Sequence, residues 1–172
     1  AYDMKVIAAG RRSETSPKTK AEVDNVEYGA GQDAMDRVLG ESDFVLVSTP
    51  LIKSTRGLIG TREIGLMRND AYLINPARGP IVDEKALYDA LASHSIAGAA
   101  IDTWYENPVD TDDAPRPSKY PFWELDNVIM TPHISGATFG TFERRAKIVA
   151  ANIDRLTRGE PLENVIDELS TI

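Results

Sequence analysis

The sequence predicts an α/β fold, a parallel sheet with flanking helices, and three observations carry that expectation. Short apolar runs recur along the chain. Amphipathic stretches of helical period lie between most of them. Several runs end abruptly in a polar residue next to Pro or Gly. The runs expected as buried strands are Met4–Ala9, Phe44–Ser48, Ala71–Ile74 and Ala97–Ile101, with Val128–Met130 a shorter fifth.

The segments between them read as helices. Gln32–Leu39 places Met35 and Leu39 four apart, and Thr61–Arg68 places Ile64 and Met67 three apart. In Glu84–Ser93, Leu87 and Leu91 stack at i,i+4 beside Ala86 and Ala90, and Asp83 precedes them as a cap. A longer helix follows, in which Phe142, Ala146, Val149, Ile153 and Leu156 form an apolar stripe, with Gly159 and Pro161 as its stop. From Thr103 to Leu125 the chain is rich in Pro and Asp without a period and reads as a long loop.

Composition narrows the classes. The chain has 172 residues, a hydrophobic fraction of 42% and a net charge of -8. An acidic balance argues against nucleic acid and against anionic membranes as partners. There is no cysteine, so disulfides and thiolate metal sites are excluded, and only two histidines, so a His-rich metal site is not expected. No apolar run approaches membrane-spanning length, and no basic region precedes an apolar stretch at the N-terminus. A cytoplasmic protein is the expectation from these features.

Three polar residues stand directly beyond apolar strands. Arg78 follows Ala71-Tyr72-Leu73-Ile74-Asn75-Pro76-Ala77 and precedes Gly79. Asp102 ends the strand Ala97–Ile101, and His133 follows Val128-Ile129-Met130-Thr131-Pro132. In open α/β sheets ligands bind beyond the carboxyl ends of strands. A guanidinium there can grip a carboxylate through two parallel hydrogen bonds, and an imidazole can exchange a proton near neutral pH. Convergence of the three is expected to form a site.

Four ordered motifs resemble the D-isomer-specific 2-hydroxyacid dehydrogenases, in particular glyoxylate/hydroxypyruvate reductases. They are Thr49-Pro50-Leu51 with Thr55, Asn75-Pro76-Ala77-Arg78-Gly79, Gly98-Ala99-Ala100-Ile101-Asp102 and Thr131-Pro132-His133-Ile134-Ser135-Gly136. The resemblance implies a Rossmann-type domain and hydride transfer between a nicotinamide cofactor and a small 2-keto or 2-hydroxy acid. It implies that Arg78 binds the substrate carboxylate and carbonyl and that His133 protonates the carbonyl oxygen. Asp102 is implied to contact the nicotinamide carboxamide. Thr49, Pro50, Thr55, Ala77, Ser135 and Gly136, with Arg78 and His133, are implied to line the cofactor. A homodimer through the cofactor domain is implied as well.

Three departures from that pattern shape the expectations. The family's G-x-G-x-x-G turn and the strand before it are not in this sequence, so Met4–Ala9 reads as the second strand and the chain as roughly the C-terminal half of a longer enzyme. On this reading residues 1–138 are an incomplete nucleotide-binding domain. Residues 139–172 are the long helix and tail that, in the family, return toward the substrate domain. The second departure is Asn107, in the slot where the family usually places Glu. An amide there orients His133 without adding charge, so Asn107 joins Arg78 and His133 in the expected catalytic set, reduction is expected to favour mildly acidic pH, and Glu106 is a candidate substitute. An amide in that slot also allows a formate dehydrogenase-like relative or a cofactor-sensing binding protein. The third is Arg11-Arg12-Ser13 after Gly10, where members that use NAD tend to end the strand with an Asp. Two cations and a hydroxyl suit a 2′-phosphate, so NADP is expected rather than NAD.

Overall fold

The structure, a computed structural model, describes residues 3–10, 26–106 and 116–165. The described elements are β1 (Val6–Gly10), β2 (Val26–Ala30), α1 (Gly31–Glu41), β3 (Phe44–Leu46), α2 (Thr61–Leu66), β4 (Tyr72–Asn75), α3 (Glu84–Ala92), β5 (Gly98–Ile101), β6 (Val128–Met130) and α4 (Phe139–Arg158). All strand pairs are parallel, as alternating strands and helices require.

The strands form two sheets, β1-β2 and β3-β4-β5-β6. No ladder joins β1 to β3 among the described residues. This is the break expected where the usual strand order 3-2-1-4-5-6 has its first strand in the middle. The strand β2 was not expected: Glu27 and Gly29 interrupt its apolar character, and only pairing with β1, Val6 opposite Val26 through Gly10 opposite Ala30, marks it as a strand.

Among the described residues the four-stranded sheet is covered on one face only. Val45, Leu73, Ala99 and Ile101 lie in the core with Leu39 of α1, Ile64 of α2 and Leu87, Ala90 and Leu91 of α3. Residues of the opposite parity, Phe44, Leu46, Tyr72 and Ile129, are 58%, 60%, 44% and 69% exposed. Phe44 and Tyr72 stack on this open face with centroids 5.7 Å apart. The sequence predicts these runs as buried strands, and the exposed residues of one parity depart from that. The difference arises because β3→β4→β5 run in one direction, so right-handed crossovers lay α2 and α3 on the same side.

Local chemistry explains the helix ends. Asp83 caps α3 by accepting from the Ala86 amide at 2.8 Å. Glu63 in α2 reaches back to the Gly60 amide at 3.1 Å. Gly159 ends α4 at φ 65°, with its amide donating to the Leu156 carbonyl and the Glu160 amide to the Arg155 carbonyl. The stretch expected as a long loop contains a 3-10 turn, Phe122–Glu124, whose Phe122 is fully buried against Tyr88, Tyr105 and Trp104.

Candidate functional site at the carboxyl edge of the sheet

Because β3, β4, β5 and β6 are parallel, the loops that follow them leave from one edge. Thr49 and Pro50 follow β3, Arg78 follows β4, Asp102 follows β5 and His133 follows β6. The structure therefore brings the expected residues to one side of the sheet.

Asn75 shapes the Arg78 loop. It is 1% exposed, and its side chain bridges the turn: Nδ2 donates to the Arg78 carbonyl at 3.0 Å and Oδ1 accepts from the Ala77 amide at 3.1 Å. Its backbone carbonyl accepts from the Asp102 amide at 3.1 Å, tying the β4 loop to the β5 loop. Arg78 is exposed, and its Nη1 donates to the Ala77 carbonyl at 2.6 Å. Among the described residues no carboxylate pairs with this guanidinium.

Asp102 is buried, 5% exposed, and its carboxylate turns toward the loop after β6. Oδ1 accepts from Thr131 Oγ1 at 2.6 Å and from the Ile134 amide at 2.9 Å. Oδ2 accepts from the Ser135 amide at 3.0 Å and from Ser135 Oγ at 2.5 Å. Burial alone pulls this carboxyl upward. The hydroxyls of Ser135 and Thr131 and the amides of Ser135 and Ile134 outweigh it and hold the group well below the usual carboxylate range. The Ser135 hydroxyl is thus engaged by Asp102, while Gly136 faces open space.

His133 is exposed and left-handed, with φ 56°. Its amide donates to the Asp102 carbonyl at 2.8 Å. Trp104 closes the same loop by donating Nε1 to the Thr131 carbonyl at 3.0 Å.

Thr55, 7% exposed, spends its hydroxyl on the loop itself, donating to the Pro50 carbonyl at 2.6 Å and accepting from the Ile52 amide at 2.8 Å. Thr49 differs: its Oγ1 is buried with no hydrogen-bond partner. A buried hydroxyl without a partner costs free energy. Its place beside the strand edge fits a group that a bound nucleotide cofactor satisfies. Arg11, Arg12, Ser13 and Asn107 lie outside the described residues. Glu106 is exposed, 4.0 Å from Lys119 Nζ.

In the sequence Asn75 and Thr131 stand out only as parts of motifs. Their signal was a short polar side chain directly before Pro at a strand end, where the backbone is held extended and the side chain can bond locally. Among the described residues no helix is long and apolar enough to cross a membrane, and no group of three or more His, Asp or Glu is placed to hold a metal ion.

A parallel sheet with its polar residues gathered at the carboxyl edge defines a Rossmann-type nucleotide-binding scaffold. Residues 1–135 match the family described as D-isomer specific 2-hydroxyacid dehydrogenase, NAD binding domain, and the chain belongs to that family. It is 40% identical over 159 residues to the glyoxylate reductase of Pyrococcus furiosus, a match that covers 92% of this chain and 43% of that protein. It is 38% identical over 151 residues to the D-3-phosphoglycerate dehydrogenase of Methanocaldococcus jannaschii, covering 88% of this chain and 27% of that one. Among solved structures, D-lactate dehydrogenase with NAD+ from Lactobacillus jensenii superposes with a TM-score of 0.78 at 33% identity, over 95% of this chain and 48% of that chain. A D-isomer specific 2-hydroxyacid dehydrogenase from Xanthobacter autotrophicus Py2, in complex with NADPH and MES, gives a TM-score of 0.73 at 32% identity, over 95% of this chain and 61% of that chain. The chain thus spans less than half the length of the curated relatives it matches.

Proposed function

We propose that this chain is the cofactor-binding part of a reductase that interconverts a small 2-keto acid and its 2-hydroxy acid, with Arg78 as carboxylate anchor and His133 as acid/base. The observation that carries the reading is the exposed Arg78 guanidinium, without a carboxylate partner among the described residues, on the edge that also presents His133. A planar fork of donors matches a carboxylate bidentately and sets the keto carbon in register for reaction. His133 then delivers a proton to the carbonyl oxygen in reduction and takes it back in oxidation. A bound nicotinamide cofactor supplies the hydride. Thr49 offers its unpaired hydroxyl to that cofactor.

The relatives named above include one solved with NAD+ and one with NADPH. We assign NADP to this chain on Arg11, Arg12 and Ser13, whose charge and hydroxyl suit a 2′-phosphate. A longer parent would supply the missing central strand, the phosphate-binding turn and a substrate domain toward which α4 returns. The open face of the sheet and the exposed stripe of α4 support a further partner, and a homodimer through this domain is the assembly we assign. The test is reduction of glyoxylate and hydroxypyruvate by the full-length parent with NADPH and with NADH. Loss of turnover in both Arg78→Ala and His133→Gln is expected. Turnover retained in His133→Gln sinks the acid/base role, and a clear preference for NADH sinks the cofactor assignment.

A second reading, a cofactor-sensing module on the same scaffold, rests on Asn107 in place of the family's usual Glu. It requires that the parent bind nucleotide without turnover.

A further inference from the structure

The geometry points to Trp104 as a positioning residue that fixes the Arg78 loop and the His133 loop relative to each other, so that carboxylate anchor and acid/base are held at one separation. This inference rests on the reading of Arg78 and His133 given above.

Trp104 meets the two loops at opposite ends of the same residue. Its backbone makes the first contact. Gly79, next to Arg78, is buried, and a Cβ built on it would stand 2.5 Å from the Trp104 carbonyl oxygen, 2.6 Å from its carbonyl carbon and 3.0 Å from the Tyr105 nitrogen. Glycine lets the two stretches of backbone touch directly. The side chain makes the second contact. Indole Nε1 donates to the Thr131 carbonyl at 3.0 Å, two residues before His133. The β5–β6 ladder ends at Ile101 opposite Met130, and the Thr131 amide donates to the Ile101 carbonyl at 3.0 Å. The indole thus takes the next carbonyl beyond the ladder, where the chain leaves the sheet toward His133.

The residue between these contacts is itself held. Phe122, 0% exposed, sets its ring edge-on to the indole with centroids 5.9 Å apart. The Tyr105 and Glu106 amides donate to the Pro117 carbonyl at 3.2 and 3.1 Å and fix the backbone that follows. A strut seated at both ends and packed in the middle transmits a displacement rather than absorbing it, as close-packed interiors do. The proposed reaction needs this. Arg78 takes the carboxylate of a 2-keto acid and His133 its carbonyl oxygen, and the two carbons that bear those groups are bonded to each other. Tolerance on the separation is therefore small, and a misplacement of about 1 Å can cost about a hundredfold in rate.

The test reads at one loop a change made at the other, in the full-length parent. Gly79→Ala alters the Arg78 loop, and hydrogen exchange is followed by mass spectrometry over residues 131–135, with 86–92 in α3 as the internal control. Exchange over 131–135 is expected to quicken by about fivefold or more while the control stays unchanged. Trp104→Phe keeps a ring against Phe122 but has no N–H, and it is expected to give a similar rise. The double variant is expected to exchange no faster than the faster single variant, because both changes act through one contact. In turnover, kcat for 2-keto acid reduction is expected to fall by about tenfold or more in Trp104→Phe, with KM for the cofactor within about threefold of its starting value. Exchange over 131–135 that is unchanged in Gly79→Ala overturns the inference. So do effects on exchange or kcat that multiply in the double variant, and so does faster exchange with kcat retained, which makes the strut structural alone. A parent without turnover defeats the proposed reaction instead, and the exchange result still decides whether Trp104 couples the loops. Should Gly79→Ala fail to fold, Trp104→Phe is read in the other direction, at the Ile81 and Val82 amides that donate to the Arg78 and Gly79 carbonyls. Faster exchange there is expected, and unchanged exchange overturns the inference.

Discussion

Gly79 lies directly against the backbone of Trp104: a Cβ built on the glycine would stand 2.5 Å from the Trp104 carbonyl oxygen and 2.6 Å from its carbonyl carbon. This close approach clamps the loop that displays Arg78 onto the segment that follows Asp102. Gly79→Ala must push the two strands of backbone apart, and overpacking of this kind costs about 1–3 kcal/mol. Chemical denaturation should show that loss. Trp104 fluorescence should change as well, because the displaced indole loses its bond to Thr131.

Asn75 carries a comparable burden with polar groups. Asn75→Ala leaves the Ala77 amide and the Arg78 carbonyl without their side-chain partners at a buried turn. Each unsatisfied buried group costs about 1–3 kcal/mol. A destabilisation of about 2–4 kcal/mol is expected by thermal or denaturant unfolding. On the proposed reading of Arg78 as carboxylate anchor, KM for the 2-keto acid in the full-length protein should rise, because Arg78 loses its fixed platform.

Acid should expose the role of Asp102. Its carboxyl is held well below the usual range in the folded chain, by bonds from Ser135, Thr131 and Ile134 that outweigh burial. A folded-state pKa below the unfolded one means that ionisation favours folding. The stabilisation is therefore fully present above the unfolded carboxyl pKa of about 3.9 and is lost as pH falls below it toward the folded value. Unfolding measured from about pH 5 downward should steepen for the unaltered chain. In Asp102→Asn the slope over that window should be shallower by about one proton.

The uncovered apolar surfaces predict a different kind of result. Phe142, Val149, Ile153 and Leu156 on α4 are 69%, 59%, 57% and 68% exposed, and none of that helix is buried. Phe142→Ser with Leu156→Ser should change monomer stability by less than about 1 kcal/mol, since little area is lost from the core. The same pair should reduce binding of a hydrophobic dye and self-association measured by sedimentation.

Most of the secondary structure was legible from periodicity and end signals. Leu87 with Leu91 marked α3, Asp83 its start and Gly159 the end of α4, and each holds because it reflects a local rule. The strand β2 was hidden, because Glu27 and Gly29 break its apolar pattern and pairing with β1 is a long-range fact. Phe122 was hidden for the same reason. Nothing near it in sequence tells that Tyr88, Trp104 and Tyr105 will enclose it. For the site, residue identities were readable, since Arg78, Asp102 and His133 each follow an apolar run.

The sequence by itself determined the parallel α/β architecture, the family and the edge on which the polar residues gather, because apolar period and strand-end chemistry are local properties. Tertiary structure alone decided what those residues do to one another. It turned the Asp102 carboxylate inward onto the loop after β6, spent the Ser135 and Thr55 hydroxyls on backbone and carboxylate partners, and left Thr49 Oγ1 unpaired. Among the described residues it also left one face of the sheet uncovered, because right-handed crossovers between β3, β4 and β5 carry their helices to the same side. Those outcomes depend on hydrogen bonds and packing between segments roughly 30 residues apart, as Asp102 and Ile134 are, and such contacts exist only once the chain has folded.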